Sequence, residues 1–136
     1  MTPLLFLAID DSPGRYEEFV RLLDTDFSRP FAERHRFVVT HDAVLSRQLA
    51  MFADVILLDH DMPGEDGRER ARWLAWVKPR ASVIITSTTG LEGVREEMRA
   101  TLEAAGVPVL LCPADHHGCE MEWLRWAEGV AAGCPK

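Results

Sequence analysis

The chain has 136 residues, 47% of them hydrophobic, which suits one domain with a real core. Its formal net charge of -7 argues against non-specific binding to nucleic acid or to an anionic membrane surface. Three cysteines, Cys112, Cys119 and Cys134, form no even disulfide framework, and the apolar N-terminal run lacks a preceding basic region, so a cytoplasmic protein without signal peptide or membrane span is expected.

Leu4 to Ile9 is a short apolar run, right for a central strand, and Asp10-Asp11 follows it. Ser12-Pro13 reads as a helix N-cap with proline in the first helical position, opening a helix to about Leu23. Asp24 to Arg34 reads as a loop, and Arg36 to Thr40 as a second strand. His41-Asp42 opens a helix through Val44, Leu45, Leu49 and Phe52. Val55 to Leu58 is uninterrupted by polar residues and predicts a strand buried on both faces. Asp59 stands where that strand leaves the sheet, and Pro63, Gly64 and Gly67 bend the chain beyond it.

Arg68 to Trp76 predicts a helix with Ala71, Leu74 and Ala75 facing in, ended by Lys78-Pro79. Its run Arg68-Glu69-Arg70-Ala71-Arg72 reads as a solvated face. Ser82 to Thr86 is a fourth strand, followed by a loop of small residues to Gly90. Leu91 to Ala105 is a long helix with Gly106 as its C-terminal stop. Val107 to Leu111 is a fifth strand closed by Pro113, and Glu120 to Ala131 is a last helix. Trp123 and Trp126 share one face of it; covering the sheet is the first reading, a homodimer surface the second. Trp73 and Trp76 are read as packing residues.

Five strands alternating with five helices predict an α/β fold with a parallel sheet covered by helices on both faces. The whole chain, 1-136 with a core of about 4-131, is expected to form one domain. In a doubly wound sheet of order 2-1-3-4-5, strands one and three are neighbours at the point where the order reverses. Asp10, Asp11 and Asp59 then meet at one edge, where three carboxylates repel one another and a hard divalent cation such as Mg²⁺ resolves the repulsion. Thr86 brings a hydroxyl to the same rim. Cys112, His116, His117 and Cys119 are soft-metal ligand types, but their spacing is not a standard zinc pattern.

The pattern resembles the receiver domain of bacterial two-component response regulators. Asp10-Asp11 looks like that family's paired metal-binding acids, and Asp59-His60-Asp61-Met62-Pro63-Gly64-Glu65-Asp66-Gly67 follows its acid-x-x-Met-Pro-x-x-Asp-Gly spacing. The resemblance implies a flavodoxin-like three-layer sandwich with Asp59 as phosphoacceptor. It implies Mg²⁺ on Asp10, Asp11, Asp59 and the backbone carbonyl of Asp61, with Thr86 as the switch hydroxyl. It also implies a sensor kinase or small phosphodonor upstream. With no room for an attached output domain, the output would be a partner protein.

Two positions depart from that pattern. Cys112-Pro113 stands where receivers carry lysine before proline, and the only lysines are Lys78 and Lys136. A neutral thiol does not supply the cation that pairs with a phosphoryl group. Val109 falls near the place of the family's aromatic switch residue. His116, His117 and His60 are compensating candidates, with Arg68 a weaker one. Leu58 to Met62, Ala71 to Leu74, and Gly93 to Leu102 with Arg95 and Met98 also resemble a divergent receiver-like family proposed to process cyclic phosphates. In that reading Asp59 and a metal act on a phosphodiester, with His60 as acid or base. A degenerate receiver acting only as a protein-interaction module is the third reading.

Overall fold

The computed structural model describes residues 3–9, 35–40, 43–58, 61–62, 65–77, 80–85, 92–111 and 120–133. The strands are β1 (Leu5–Ile9), β2 (Arg36–Thr40), β3 (Val55–Leu58), β4 (Asp61–Met62), β5 (Glu65–Asp66), β6 (Ser82–Ile85) and β7 (Val109–Leu111). The described helices are α1 (Ala43–Ala50), α2 (Gly67–Val77), α3 (Glu92–Ala104) and α4 (Glu120–Ala131). The helix expected from Ser12 to Leu23 lies outside the described residues.

Five strands form one parallel sheet in the order β2-β1-β3-β6-β7. The inner strands β3 and β6 are buried along their whole length, which is why Val55–Leu58 and Val83–Ile85 read as unbroken apolar runs. Side chains alternate across the sheet. Leu7, Ile9, Ile56, Leu58, Val83, Ile85 and Val109 share one cluster with Ala50 of α1, Ala71 and Leu74 of α2, and Val94, Met98 and Leu102 of α3. The strand residues of opposite parity include Phe6, Leu57 and Ile84, also buried. Phe6 meets the His35 ring at 5.5 Å, and His35 in turn bonds Glu128 of α4.

The C-terminus of α3 follows the expected glycine stop. Gly106 has φ +83°, its N–H donates to Glu103 O at 2.9 Å, and Val107 N–H donates to Leu102 O at 3.0 Å. Those bonds satisfy carbonyls that the helix end leaves open.

Four expectations change. The acidic loop after β3 contains a two-stranded antiparallel ribbon, with Asp61 paired to Asp66 and Met62 to Glu65. Strands of two residues are too short to show an alternating pattern. In α1, Leu45 is exposed, and Phe52 just beyond its end is 66% exposed, whereas Ser46, Ala50 and Ala53 are buried. Small side chains let that helix approach the core closely, with Leu49 packing partly against it as expected. Arg70 does not belong to a solvated face: it is 2% exposed and donates from Nη1 to Ser46 Oγ at 2.5 Å, joining α2 to α1. Trp76 is not a packing residue, being 80% exposed, while Trp73 packs against the core and carries the Arg47 guanidinium 5.7 Å from its ring centre.

At the amino edge, Leu5 N–H donates to Asp54 Oδ2 at 2.9 Å. Arg80 Nε lies 3.4 Å from Asp54 Oδ1, and Arg80 Nη2 donates to Phe52 O at 2.8 Å. Asp54→Ala is expected to cost about 1–2 kcal/mol in urea unfolding, mainly through the lost bond to β1. Asp54→Asn, which keeps an acceptor, should cost less than about 1 kcal/mol. Equal losses in the two variants would contradict this assignment.

Candidate functional site

The carboxyl ends of the sheet strands are level with one another. Ile9 pairs with Thr40 and Leu58, Leu58 with Ile85, and Ile85 with Leu111. Each of these residues ends its strand. The residues next in sequence are Asp10, Asp59, Thr86 and Cys112, with Asp11 following Asp10. Sequence and register together therefore place an acid, an acid, a hydroxyl and a thiol one peptide bond beyond four adjacent strand ends. In open α/β sheets this edge, between the strands where the order reverses, is where ligands bind.

Asp10, Asp11, Asp59, His60, Thr86, Cys112, His116 and His117 themselves lie outside the described residues, as does Cys119. The backbone of Asp61 is described: it pairs with Asp66 across the β4–β5 ribbon, so the chain two residues beyond Asp59 is tied down. Gly67, directly after that ribbon, is buried at the start of α2. Val109, the position near the expected aromatic switch, is 6% exposed and belongs to the core. Arg68 lies 3.7 Å from Glu97 on α3 and is half exposed, an ion pair between two helices. Among the described residues no three His, Cys, Asp or Glu side chains gather in a way that could hold a metal.

The opposite, amino edge also holds charge. A cleft of about 580 Å³ there is lined by Leu4, Asp54, Arg80, Ser82 and Glu128. Its charges are engaged within the protein, Asp54 with Arg80 and Glu128 with His35. That pattern reads as reinforcement of the sheet rather than as a site.

The architecture has clear counterparts among solved structures. The signal receiver domain of the response regulator NarL from Mycobacterium tuberculosis superposes with a TM-score of 0.66 at 23% identity, over 95% of this chain and 99% of that one. The chain has the receiver fold. The signal receiver domain of the Luxo repressor protein from Vibrio parahaemolyticus gives the same TM-score of 0.66 at 16% identity, covering 98% of this chain and 99% of that one. The Mn²⁺-bound form of response regulator Rcp1 gives 0.58 at 18% identity, covering 94% and 91%. No protein-family model and no curated protein matches the sequence. In receiver-fold terms, the level strand ends Ile9, Leu58, Ile85 and Leu111 form the edge at which the candidate acids follow. Among the described residues no helix is long and apolar enough to cross a membrane.

One group in this fold was not legible as notable from the sequence: the buried His35–Glu128 pair. Its burial depends on elements far away in the chain.

Proposed function

We propose that this chain is a receiver-type signalling domain that accepts a phosphoryl group on Asp59 in a divalent-metal-dependent reaction. The observation that carries this reading is the level row of strand ends Ile9, Leu58 and Ile85, followed in sequence by Asp10-Asp11, Asp59 and Thr86. The donor set is all oxygen: carboxylates of Asp10, Asp11 and Asp59, with the Asp61 carbonyl on a backbone that is already paired. Hard oxygen ligands fit Mg²⁺ or Mn²⁺. A receiver-fold neighbour in an Mn²⁺-bound form supports the same choice.

In this reading an Asp59 carboxylate oxygen attacks the phosphorus of the donor. The new O–P bond forms as the bond to the leaving group breaks, and the leaving group departs with that electron pair. A bound divalent ion supplies positive charge against the phosphoryl oxygens. Thr86 donates a hydrogen bond to one of those oxygens and links the modified site to β6. The upstream partner is a sensor kinase or a small phosphodonor.

The test is phosphoryl uptake from a small acyl phosphate with Mg²⁺, repeated with the metal chelated. Uptake that depends on Mg²⁺ is the expected result. Absence of uptake in a chain that binds Mg²⁺ overturns the phosphoacceptor reading. Hydrolysis of a cyclic phosphodiester by that same chain would then assign the edge to hydrolytic chemistry.

A further inference from the structure

Arg95 differs from the arginines that meet a partner. Arg68 meets Glu97, Arg99 meets Glu96 at 2.7 Å, Arg80 meets Asp54, and Arg70 meets Ser46. Arg95 is 5% exposed, and among the described residues its Nε and Nη2 find no hydrogen-bond partner. A guanidinium does not shed its proton, so it cannot escape the cost of burial by becoming neutral. A buried cation with open N–H groups is a costly arrangement that an anion relieves.

The position of Arg95 says which anion it can reach. It lies in the first turn of α3, which begins after β6 has ended at Ile85, so this turn is at the carboxyl edge of the sheet. Glu97 marks the flank of α3 that faces α2, through its contact with Arg68. Two residues are about 200° of helix rotation, so Arg95 is on the opposite flank. That flank is on the side of β7, against which α3 also packs. Leu111, at the end of β7, precedes Cys112 in the sequence, the position at which the receiver pattern carries lysine.

We propose that Arg95 is the oxyanion-binding cation of the carboxyl edge, taking a phosphate or phosphoryl group through Nε and Nη2. The location of that group beside Asp59 rests on the phosphoacceptor reading. The binding of the anion by Arg95 does not. The planar fork of donors matches two oxygens of one tetrahedral anion. The first turn of a helix adds a field of the same sign.

The experiment titrates inorganic phosphate into the chain with Mg²⁺ present, by calorimetry, for the parent, R95M and R95K. Loss of Arg95 is expected to weaken phosphate binding about 10- to 100-fold in R95M. R95K should fall between, because it keeps the charge without the fork. In phosphate-free buffer R95M should unfold at the same urea concentration as the parent or a higher one, since it removes a buried charge. A purely structural arginine predicts the reverse. Phosphate should also raise the thermal midpoint of the parent, less that of R95K, and not that of R95M.

A parent that binds no phosphate, or R95M binding as tightly as the parent, overturns the proposal. If R95M folds poorly, the parent and R95K decide: no phosphate-dependent rise in the parent's midpoint, or an equal rise in both, overturns it as well. Intact mass after treatment with a phosphodonor separates the two readings. Phosphate held through Arg95 without an Asp59 adduct defeats only the phosphoacceptor. An adduct formed equally well by R95M and the parent overturns the placement of the Arg95-bound anion beside Asp59 and leaves the phosphoacceptor reading standing.

Discussion

In the Asp10→Asn/Asp11→Asn double variant, magnesium affinity is expected to fall by about 100-fold or more, while the metal-free protein becomes more stable. Two unit charges about 4 Å apart interact by roughly 4 kcal/mol at an effective dielectric of 20, so removing two carboxylates from an all-oxygen donor set takes away most of the attraction for a divalent ion. On the proposed arrangement the same carboxylates, without metal, would repel each other and Asp59, which follows the neighbouring strand end in sequence. Neutralising two of them should raise stability by about 1 kcal/mol, within the usual range for relieving a charge conflict. The opposite signs are the useful feature. Metal titration reads the loss, and urea unfolding in chelator reads the gain. Unchanged metal affinity together with a lower urea midpoint would show that these acids cap a helix and do not form a site.

His35→Ala is expected to cost about 3–5 kcal/mol, well above the loss expected for Asp54→Ala. Leu4 N–H donates to Nδ1 at 3.0 Å, so Nδ1 carries the lone pair and the ring proton is on Nε2. Nε2 then donates to Glu128 Oε2 at 2.7 Å. The ring is fully buried and the Glu128 side chain is 9% exposed. One imidazole thus joins the chain entering β1 to α4, across 93 residues of sequence. Alanine opens a cavity against Phe6, leaves a buried N–H without its acceptor, and takes a donor away from a buried carboxylate. Glu128→Gln keeps an oxygen acceptor for Nε2–H and should cost only about 1 kcal/mol. A His35→Ala midpoint within error of the parent would contradict this account of how α4 is held. Because the pair lies at the amino edge, metal affinity in the folded fraction should not change.

The strands were the most legible part of this chain, and for a physical reason. Val55–Leu58 and the apolar stretch Val83–Ile85 of β6 are buried on both faces, so no polar residue interrupts them, and the following Asp or Thr marks the exit to the edge. Gly106 was legible because the left-handed turn at φ +83° suits glycine above other residues. Helix faces were less legible. Phe52 outweighs Ala50 and Ala53 on any hydrophobicity scale, yet it is exposed and the two small residues are fully buried. The burial of Arg70 and His35 was illegible because a buried polar group depends on distant partners that local pattern does not encode. For the candidate site, the sequence supplied the residue types and the strand register supplied their alignment at one edge.

The measurement that bears most directly on the central claim is intact-mass analysis of the chain after incubation with Mg²⁺ and a small acyl phosphate, with Asp59→Asn treated in parallel. The expected result is a single phosphoryl adduct on the parent, absent from Asp59→Asn and absent from the parent in chelator. An adduct of equal yield on Asp59→Asn, or none on a parent shown to bind Mg²⁺, would contradict Asp59 as the phosphoacceptor.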